Sequence, residues 1–158
     1  MDRNDLGRSP YVRWLSRFSL LLLGLHTIYV TGWAVVDIAV RVGVWPTGLW
    51  GWDGEAFFAS LAVWQEVAFF SSTVLAQFSI WLHFKRSALI IPVFLVSYFL
   101  YRLDSFFLTL NDLFNGVGGF ETFAPMLILQ LALLLALMLL WGEGYFDRPA
   151  FRARPGRT

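Results

Sequence analysis

Four long apolar runs, each about as long as a membrane is thick, most strongly constrain what this chain can fold into. About 20 residues of α-helix, rising about 1.5 Å per residue, cross the roughly 30 Å hydrocarbon layer of a bilayer. The sequence has four such runs between charged or turn-forming residues, at approximately residues 18–40, 57–82, 88–108 and 122–141. Because the runs are nearly continuous and do not alternate in polarity, they predict helices and not the strands of a membrane barrel.

The composition agrees with a chain that is solvated by lipid. Of the 158 residues, 58% are hydrophobic and 15% are charged, whereas soluble proteins average about 45–50% and about 25%. An ordinary soluble domain is therefore excluded. The net charge of +1 gives no sign of a nucleic-acid partner, and a chain without cysteine has no disulfides, thiolate metal sites or iron–sulfur clusters.

The basic residues predict how the chain is oriented in the membrane. Ten of the twelve lie before the first run, between the second and third runs, or after the fourth, namely Arg3, Arg8, Arg13, Arg17, Lys85, Arg86, Arg148, Arg152, Arg154 and Arg157. By the positive-inside rule these segments are cytoplasmic. We expect one integral-membrane domain over residues 1–158, an all-α, up-down-up-down bundle of four helices with both termini inside, and mobile polar tails at residues 1–12 and 147–158. The predicted location is a bacterial inner membrane.

Three tryptophans mark the first outer connection. Trp45, Trp50 and Trp52 lie among turn-forming Gly and Pro residues. Indole rings favour the head-group layer, where they find both apolar and polar neighbours. We therefore expect these three side chains to act as interfacial anchors.

Each apolar run also carries a polar residue that lipid should exclude. These residues are Asp37, Glu66, Arg102 and Gln130, in chain order. At about 1.5 Å per residue, Glu66 lies about 13 Å, Arg102 about 9 Å and Gln130 about 12 Å from the outer end of its run. An ionisable side chain at the bilayer centre costs about 2.5–3.5 kcal/mol or more, so we expect the four residues to form one intramembrane polar cluster.

Helical phase predicts which charged groups of this cluster meet. At about 100° per residue, Asp104 points about 160° away from Arg102, and it lies near the end of its run. We therefore expect Asp104 to reach the head groups and Arg102 to pair with Glu66 or Asp37. In the simplest interpretation, Glu66 and Arg102 form a structural ion pair, supported by Gln130, that holds the helices in order.

A second interpretation is an ion or proton path. Asp37 and Glu66 would accept protons from outside, and His26, with Thr73 and Gln77, would pass them toward the cytoplasm. A third interpretation is a membrane enzyme that uses the same acids. No nucleophile–base pair, metal-binding spacing or phosphate-binding loop accompanies them, so the sequence predicts no catalytic or metal-binding residues and does not favour an enzyme.

The two histidines raise the alternative of a haem b held by His26 and His83. His26 lies about 12 Å inside the inner boundary by residue count, whereas His83 lies at that boundary. This mismatch favours a core histidine at position 26 and an interfacial one at position 83, so no cofactor is predicted.

For function, the sequence favours a small polytopic membrane protein that acts as an accessory or assembly subunit of a larger membrane complex. The alternative is an oligomeric transporter of ions, protons or small solutes that uses the buried acids and arginine. A lipid-modifying or cofactor-binding enzyme is the third possibility. The expected partners are the lipid bilayer and either other membrane-protein subunits or copies of the same chain.

Overall fold

The computed structural model describes residues 9–45, 53–111, 113 and 120–146. Five helices lie within them: α1 (Pro10–Arg41), α2 (Gly54–Ser60), α3 (Val63–Phe84), α4 (Ile90–Leu108) and α5 (Phe120–Gly142). Helices α1, α3 and α4, and Ala124–Gly142 of α5, are long and apolar enough to cross a membrane. The prediction of an all-helical chain with four membrane-length helices is confirmed for the described residues, which indicates a multi-pass membrane protein.

Helix α1 begins earlier than the apolar run does. It starts at Pro10 instead of Phe18 and has 32 residues, so at about 1.5 Å per residue it is about 48 Å long and extends beyond the hydrocarbon layer. Proline suits the first helical position, because that N–H has no partner within a helix in any case. Residues 10–12, expected in a mobile tail, are therefore helical, and Val12 is buried. Residues 147–158 of the other predicted tail lie outside the described residues.

The second apolar run contains a break that the prediction of one helix over residues 57–82 missed. Helix α2 ends at Ser60, Leu61 and Ala62 have extended backbone, and α3 starts at Val63. Polar side chains set this pattern. Asp53 accepts a hydrogen bond from the Ala56 amide at 3.0 Å and caps α2, and the Gln65 side chain accepts one from the Ala62 amide at 3.0 Å. Hydropathy cannot detect the break, because apolar residues flank it on both sides.

The third and fourth runs agree with the structure to within two residues at each end. Helices α3 and α4 pack closely through small residues at Ser72, Ala76 and Ser97, all of them buried. The Ser97 hydroxyl donates a hydrogen bond to the Ser72 carbonyl at 2.8 Å. Small side chains let two membrane helices approach and allow such contacts to form.

The main apolar core lies at the end of the bundle where α1 begins. Leu23 of α1, Phe94 of α4 and Leu137 of α5 are fully buried in it, and the chain after α5 places Phe146 against the same cluster. At the opposite end, Phe57 and Phe58 of α2 pack with Val40 of α1 and Leu108 of α4. Helix α2 thus covers the end of the bundle where α1 finishes.

Candidate functional site

A cavity of about 70 Å³ lies under α2, between the last turns of α1, the first turns of α3 and the end of α4. Three acidic side chains line it: Asp37, Glu66 and Asp104. Six aromatic residues form most of the remaining wall, namely Tyr29, Trp33, Phe57, Phe58, Phe69 and Tyr101. The combination of carboxylates with an aromatic wall in a membrane-length bundle is chemically unusual, because lipid-facing packing alone needs no ionisable group.

One arginine connects the helices around this cavity. The Arg41 guanidinium donates to Asp37 Oδ1 at 2.5 Å, to Glu66 Oε1 at 2.8 Å and to the Phe58 carbonyl at 3.1 Å. The central carbon of the guanidinium, Cζ, also lies 5.8 Å from the centre of the Phe58 ring. Arg41 directly follows the first predicted run, residues 18–40, and so falls in the first outer connection; the sequence prediction missed its role at the cavity. The signal was the spacing of four residues between Asp37 and Arg41, which brings two side chains together on a helix.

Asp104 is the acid that the sequence prediction placed wrongly. It does not reach the head groups: its residue is 4% exposed and it lines the cavity. The physical reason is α2, whose phenylalanines pack with Leu108 and cover this part of α4. Within the part of the chain that the structure describes, the Asp104 carboxylate makes no hydrogen bond or ion pair, in contrast to Asp37 and Glu66.

The charges of the cavity are therefore unbalanced. Three carboxylates line it, and among the described residues one guanidinium, that of Arg41, pairs with any of them. A carboxylate that is largely withdrawn from water is costly when it gains no hydrogen bond or counter-charge in exchange. A proton on Asp104, or a cation beside it, would remove this imbalance.

Arg102 does not join this site. Its Nε donates to Gln130 Oε1 at 2.8 Å, its Nη2 contacts the same oxygen, and its guanidinium lies over the rings of Tyr98 and Tyr101. The predicted ion pair between Glu66 and Arg102 is therefore wrong. Because α3 starts at Val63, Glu66 lies in its first turn next to the end of α1 and not deep within a helix, while Arg102 faces α5.

The expected single cluster is thus two separate groups. Asp37 and Glu66 are held by Arg41 at the cavity, and Arg102 is held by Gln130 inside the bundle. Gln130 is completely buried, and its amide nitrogen lies 3.5 Å from His26 Nδ1. Of the four predicted residues, Asp37 and Gln130 are buried, whereas Glu66 and Arg102 are half-buried. The sequence could not determine how the four side chains pair.

His26, Thr73 and Gln77 are not joined by hydrogen bonds. His26 Nδ1 lies 3.4 Å from the Met126 sulfur, the Thr73 hydroxyl donates to a carbonyl of its own helix, and exposed Gln77 donates to Thr31 at 3.3 Å. Gln77 therefore lies on the outer surface of the bundle. The group that connects the cavity to His26 is Tyr101, which lines the cavity and meets the His26 ring edge-on at 6.1 Å between centroids.

The second histidine is buried, although we expected it at the interface. His83 Nε2 lies 2.9 Å from the Ser19 hydroxyl, and its ring contacts Tyr145 and Phe146. Ser19 and His26 are separated by seven residues, about 10 Å along α1. The prediction that no cofactor binds stays a prediction, and haem b held by His26 and His83 stays its untested alternative. Among the described residues, no three His, Asp or Glu side chains are grouped closely enough to hold a metal ion.

Trp45, the first of the predicted interfacial anchors, packs against the cluster of Val40, Phe57 and Phe58. Trp50 and Trp52 lie outside the described residues. The anchoring role of all three therefore stays a prediction.

No protein-family model, no curated protein and no solved structure matches this chain.

Proposed function

We propose that this chain binds a proton or small cation in the acidic cavity and forms part of a path for ions or small solutes across the membrane. The observation that carries the proposal is Asp104, an acid that is 4% exposed, faces the cavity and has no partner among the described residues. A purely structural acid would be expected to have one, as Asp37 does. Intramembrane acids that face a cavity typically belong to substrate or ion pathways.

The proposal includes an orientation in a bacterial inner membrane. We propose that the helices alternate in direction, that both termini are cytoplasmic and that the cavity lies in the outer half of the bilayer. Two contacts support alternation of the first two spans: Arg41 at the end of α1 meets Glu66 at the start of α3, and Ser19 near the start of α1 meets His83 near the end of α3. The distribution of basic residues supports the sidedness. Because the chain has no native cysteine, single cysteines can be introduced and labelled from either side to test it.

Flux in proteoliposomes tests the function. The purified protein is reconstituted into vesicles. Proton uptake is measured with a pH-sensitive dye inside the vesicles, and amine uptake is measured separately with a labelled small amine added outside. Asp104→Asn should reduce uptake at least tenfold, because it removes the free carboxylate while keeping the shape of the side chain. Glu143→Gln is the matched control, since Glu143 is exposed and does not line the cavity. Uptake by Asp104→Asn equal to that of the wild type, at equal reconstitution, would contradict the proposal.

A second function, as an accessory or assembly subunit, is supported by a different observation. Gln77 and Thr31 form an exposed hydrogen-bonded pair in the middle of their helices. Next to them, Gly32 is exposed and has open space where a side chain would be. An amide that faces lipid at this depth is unfavourable unless another helix covers it. We propose that a membrane helix of another subunit, or of a second copy, packs on this surface.

Co-purification tests this second function. A tagged chain is extracted from its native membranes in mild detergent, and the mass and composition of the complex are measured. Stoichiometric recovery of other membrane subunits, lost in Gln77→Leu together with Thr31→Val, is the expected result. Val74→Leu on the same exposed side of α3 should leave the complex intact. Recovery of a monomer under conditions that preserve other membrane complexes would contradict it.

A further inference from the structure

We propose that the cation held in the acidic cavity is an organic ammonium group, either a protonated amine or a quaternary ammonium, with Asp104 as its counter-charge. This inference rests on the proposed function, since it names the chemical class of the cation that the cavity would take. Three types of ligand are compatible with a free buried carboxylate: a proton, a metal ion and an organic cation. The surroundings of Asp104 distinguish among them.

The arrangement of the acids disfavours a metal ion. A hard cation such as Ca²⁺ requires six or more oxygen ligands, and no group of three metal-ligating side chains occurs among the described residues. Two of the three cavity acids, Asp37 and Glu66, are also already bound to Arg41. Asp104 would therefore face a metal ion as a single carboxylate, surrounded mainly by rings.

The aromatic wall favours an organic cation. Tyr29, Trp33 and Phe69 line the same cavity as Asp104, and a cation at the face of such a ring is attracted by about 0.5–2 kcal/mol. A bare proton gains nothing from aromatic rings once it has bound to oxygen. An alkylammonium group gains both the charge of Asp104 and apolar contact for its methyl or methylene groups.

Arg41, which does not itself line the cavity, shows that two of the cavity acids bind an organic cation. Its guanidinium has carboxylate oxygens on two sides, a carbonyl oxygen on a third and the face of Phe58 nearby. These are the contacts that an ammonium ligand would require. Asp104 offers a second position of the same chemistry with no resident cation among the described residues.

The size of the cavity limits the ligand. Its volume of about 70 Å³ compares, on the same measure, with about 10–15 Å³ for a space that holds one water. It therefore has room for about five to seven water-sized groups, well short of the pockets of about 300–1,000 Å³ that hold drug-sized molecules. An ammonium group with a few carbons, such as ethylammonium or tetramethylammonium, matches this volume in size. Such a group can come from a free amine or from the head group of an amine-bearing lipid.

Binding of defined cations to the purified protein tests the inference. Tetramethylammonium and ethylammonium chlorides are titrated by calorimetry into protein held in a non-ionic detergent, with sodium and calcium chlorides as comparison cations. We expect saturable binding of the organic cations, at least tenfold weaker in Asp104→Asn and unchanged in Glu143→Gln. Phe69→Leu should weaken binding about threefold to tenfold while leaving the charges of the cavity intact. Because Phe69→Leu keeps Asp104, it tests the aromatic contribution even if Asp104→Asn fails to fold.

The outcomes separate this inference from the proposed function. Proton uptake that depends on Asp104, without binding of either organic cation, would overturn the inference and leave the proposed function standing. Equal binding of sodium, or no effect of Phe69→Leu, would also overturn the inference. Absence of both cation binding and uptake would overturn both proposals.

Repeating the titration in lipid nanodiscs identifies the source of the ligand. Phosphatidylethanolamine that competes with tetramethylammonium, where phosphatidylglycerol does not, would identify a lipid head group. Equal binding in both lipids would identify a free amine.

Discussion

The two ends of this helical bundle differ in whether their polar side chains have hydrogen-bond partners. At the end where α1 begins, His83 is hydrogen-bonded to Ser19, the Ser16 hydroxyl donates to Tyr145 at 2.8 Å, and Phe146 closes the packing. At the end where α1 finishes, a cavity remains under α2 and Asp104 faces it without a partner among the described residues. The first end is built as a satisfied core, and the second keeps a carboxylate available. In the function proposed above, the first end serves stability and the second serves binding.

Removal of a ring should cost more at the packed end than at the cavity. Phe146 is 2% exposed within the main core, so Phe146→Ala should lower the free energy of unfolding by about 3–5 kcal/mol. Phe69→Ala, beside the existing cavity, should cost at least about 1 kcal/mol less, because its neighbours already lack some contacts. Unfolding in mixed micelles at increasing dodecyl sulfate measures both values. Equal losses would mean that the two ends are equally well packed.

Loss of Arg41 should be the most destabilising change among the charged residues of the cavity. Arg41→Ala leaves buried Asp37 without its cation and also separates α1 from α3. Hydrogen bonds to charged groups contribute about 1.5–3 kcal/mol, and partial exposure of Arg41 reduces this, so we expect a loss of about 2 kcal/mol.

The matched control for that change is Arg13→Ala. Arg13 is an exposed arginine of the same helix that makes no ion pair within the described residues. The same micelle titration should show almost no change for it. An equal loss in the two variants would contradict the role of Arg41.

Removal of the charge from the two buried aspartates should affect stability differently. Asp37→Asn weakens the contact with Arg41 and should lower stability by about 1 kcal/mol or more. Asp104→Asn removes a buried carboxylate that has no partner among the described residues and should leave stability unchanged or raise it by about 1 kcal/mol. Thermal unfolding of the two variants, side by side and in the same detergent, is the measurement. A clear loss of stability in Asp104→Asn would show that Asp104 has a structural partner and would remove the contrast between the two ends.

Local sequence pattern was sufficient for much of the fold. The apolar runs near 88–108 and 122–141 match α4 and α5 closely, because membrane-length hydropathy depends only on consecutive residues. It was insufficient for the break before Val63, since Phe57, Phe58 and Leu61 are as apolar as a spanning helix requires. The evidence for the break lay in the capping positions of Asp53 and Gln65, which carry little weight in a hydropathy window.

At the candidate site, too, the sequence identified the polar residues but not their partners. The sequence marked Asp37, Glu66, Arg102 and Gln130 as polar residues to explain, and in the structure they all contact other polar groups. The sequence did not identify Arg41 as the cation that binds Asp37 and Glu66. It predicted that Asp104 reaches the head groups, whereas Asp104 lines the cavity. Helical phase describes the directions of side chains on one helix, whereas a pairing also depends on which helix lies opposite and where that helix begins.

The sequence by itself determined that the chain is helical, that four helices are long and apolar enough to cross a membrane, and that a few ionisable residues lie within them. Those properties follow from the free energy of transferring consecutive residues into lipid, which is nearly local. Only the tertiary structure decided that α2 covers the end of α4, that Arg41 binds two acids and that Asp104 is left facing a cavity. Those properties depend on contacts between residues far apart in the chain, such as Arg41 with Glu66, and Leu108 with the cluster that contains Phe57 and Phe58.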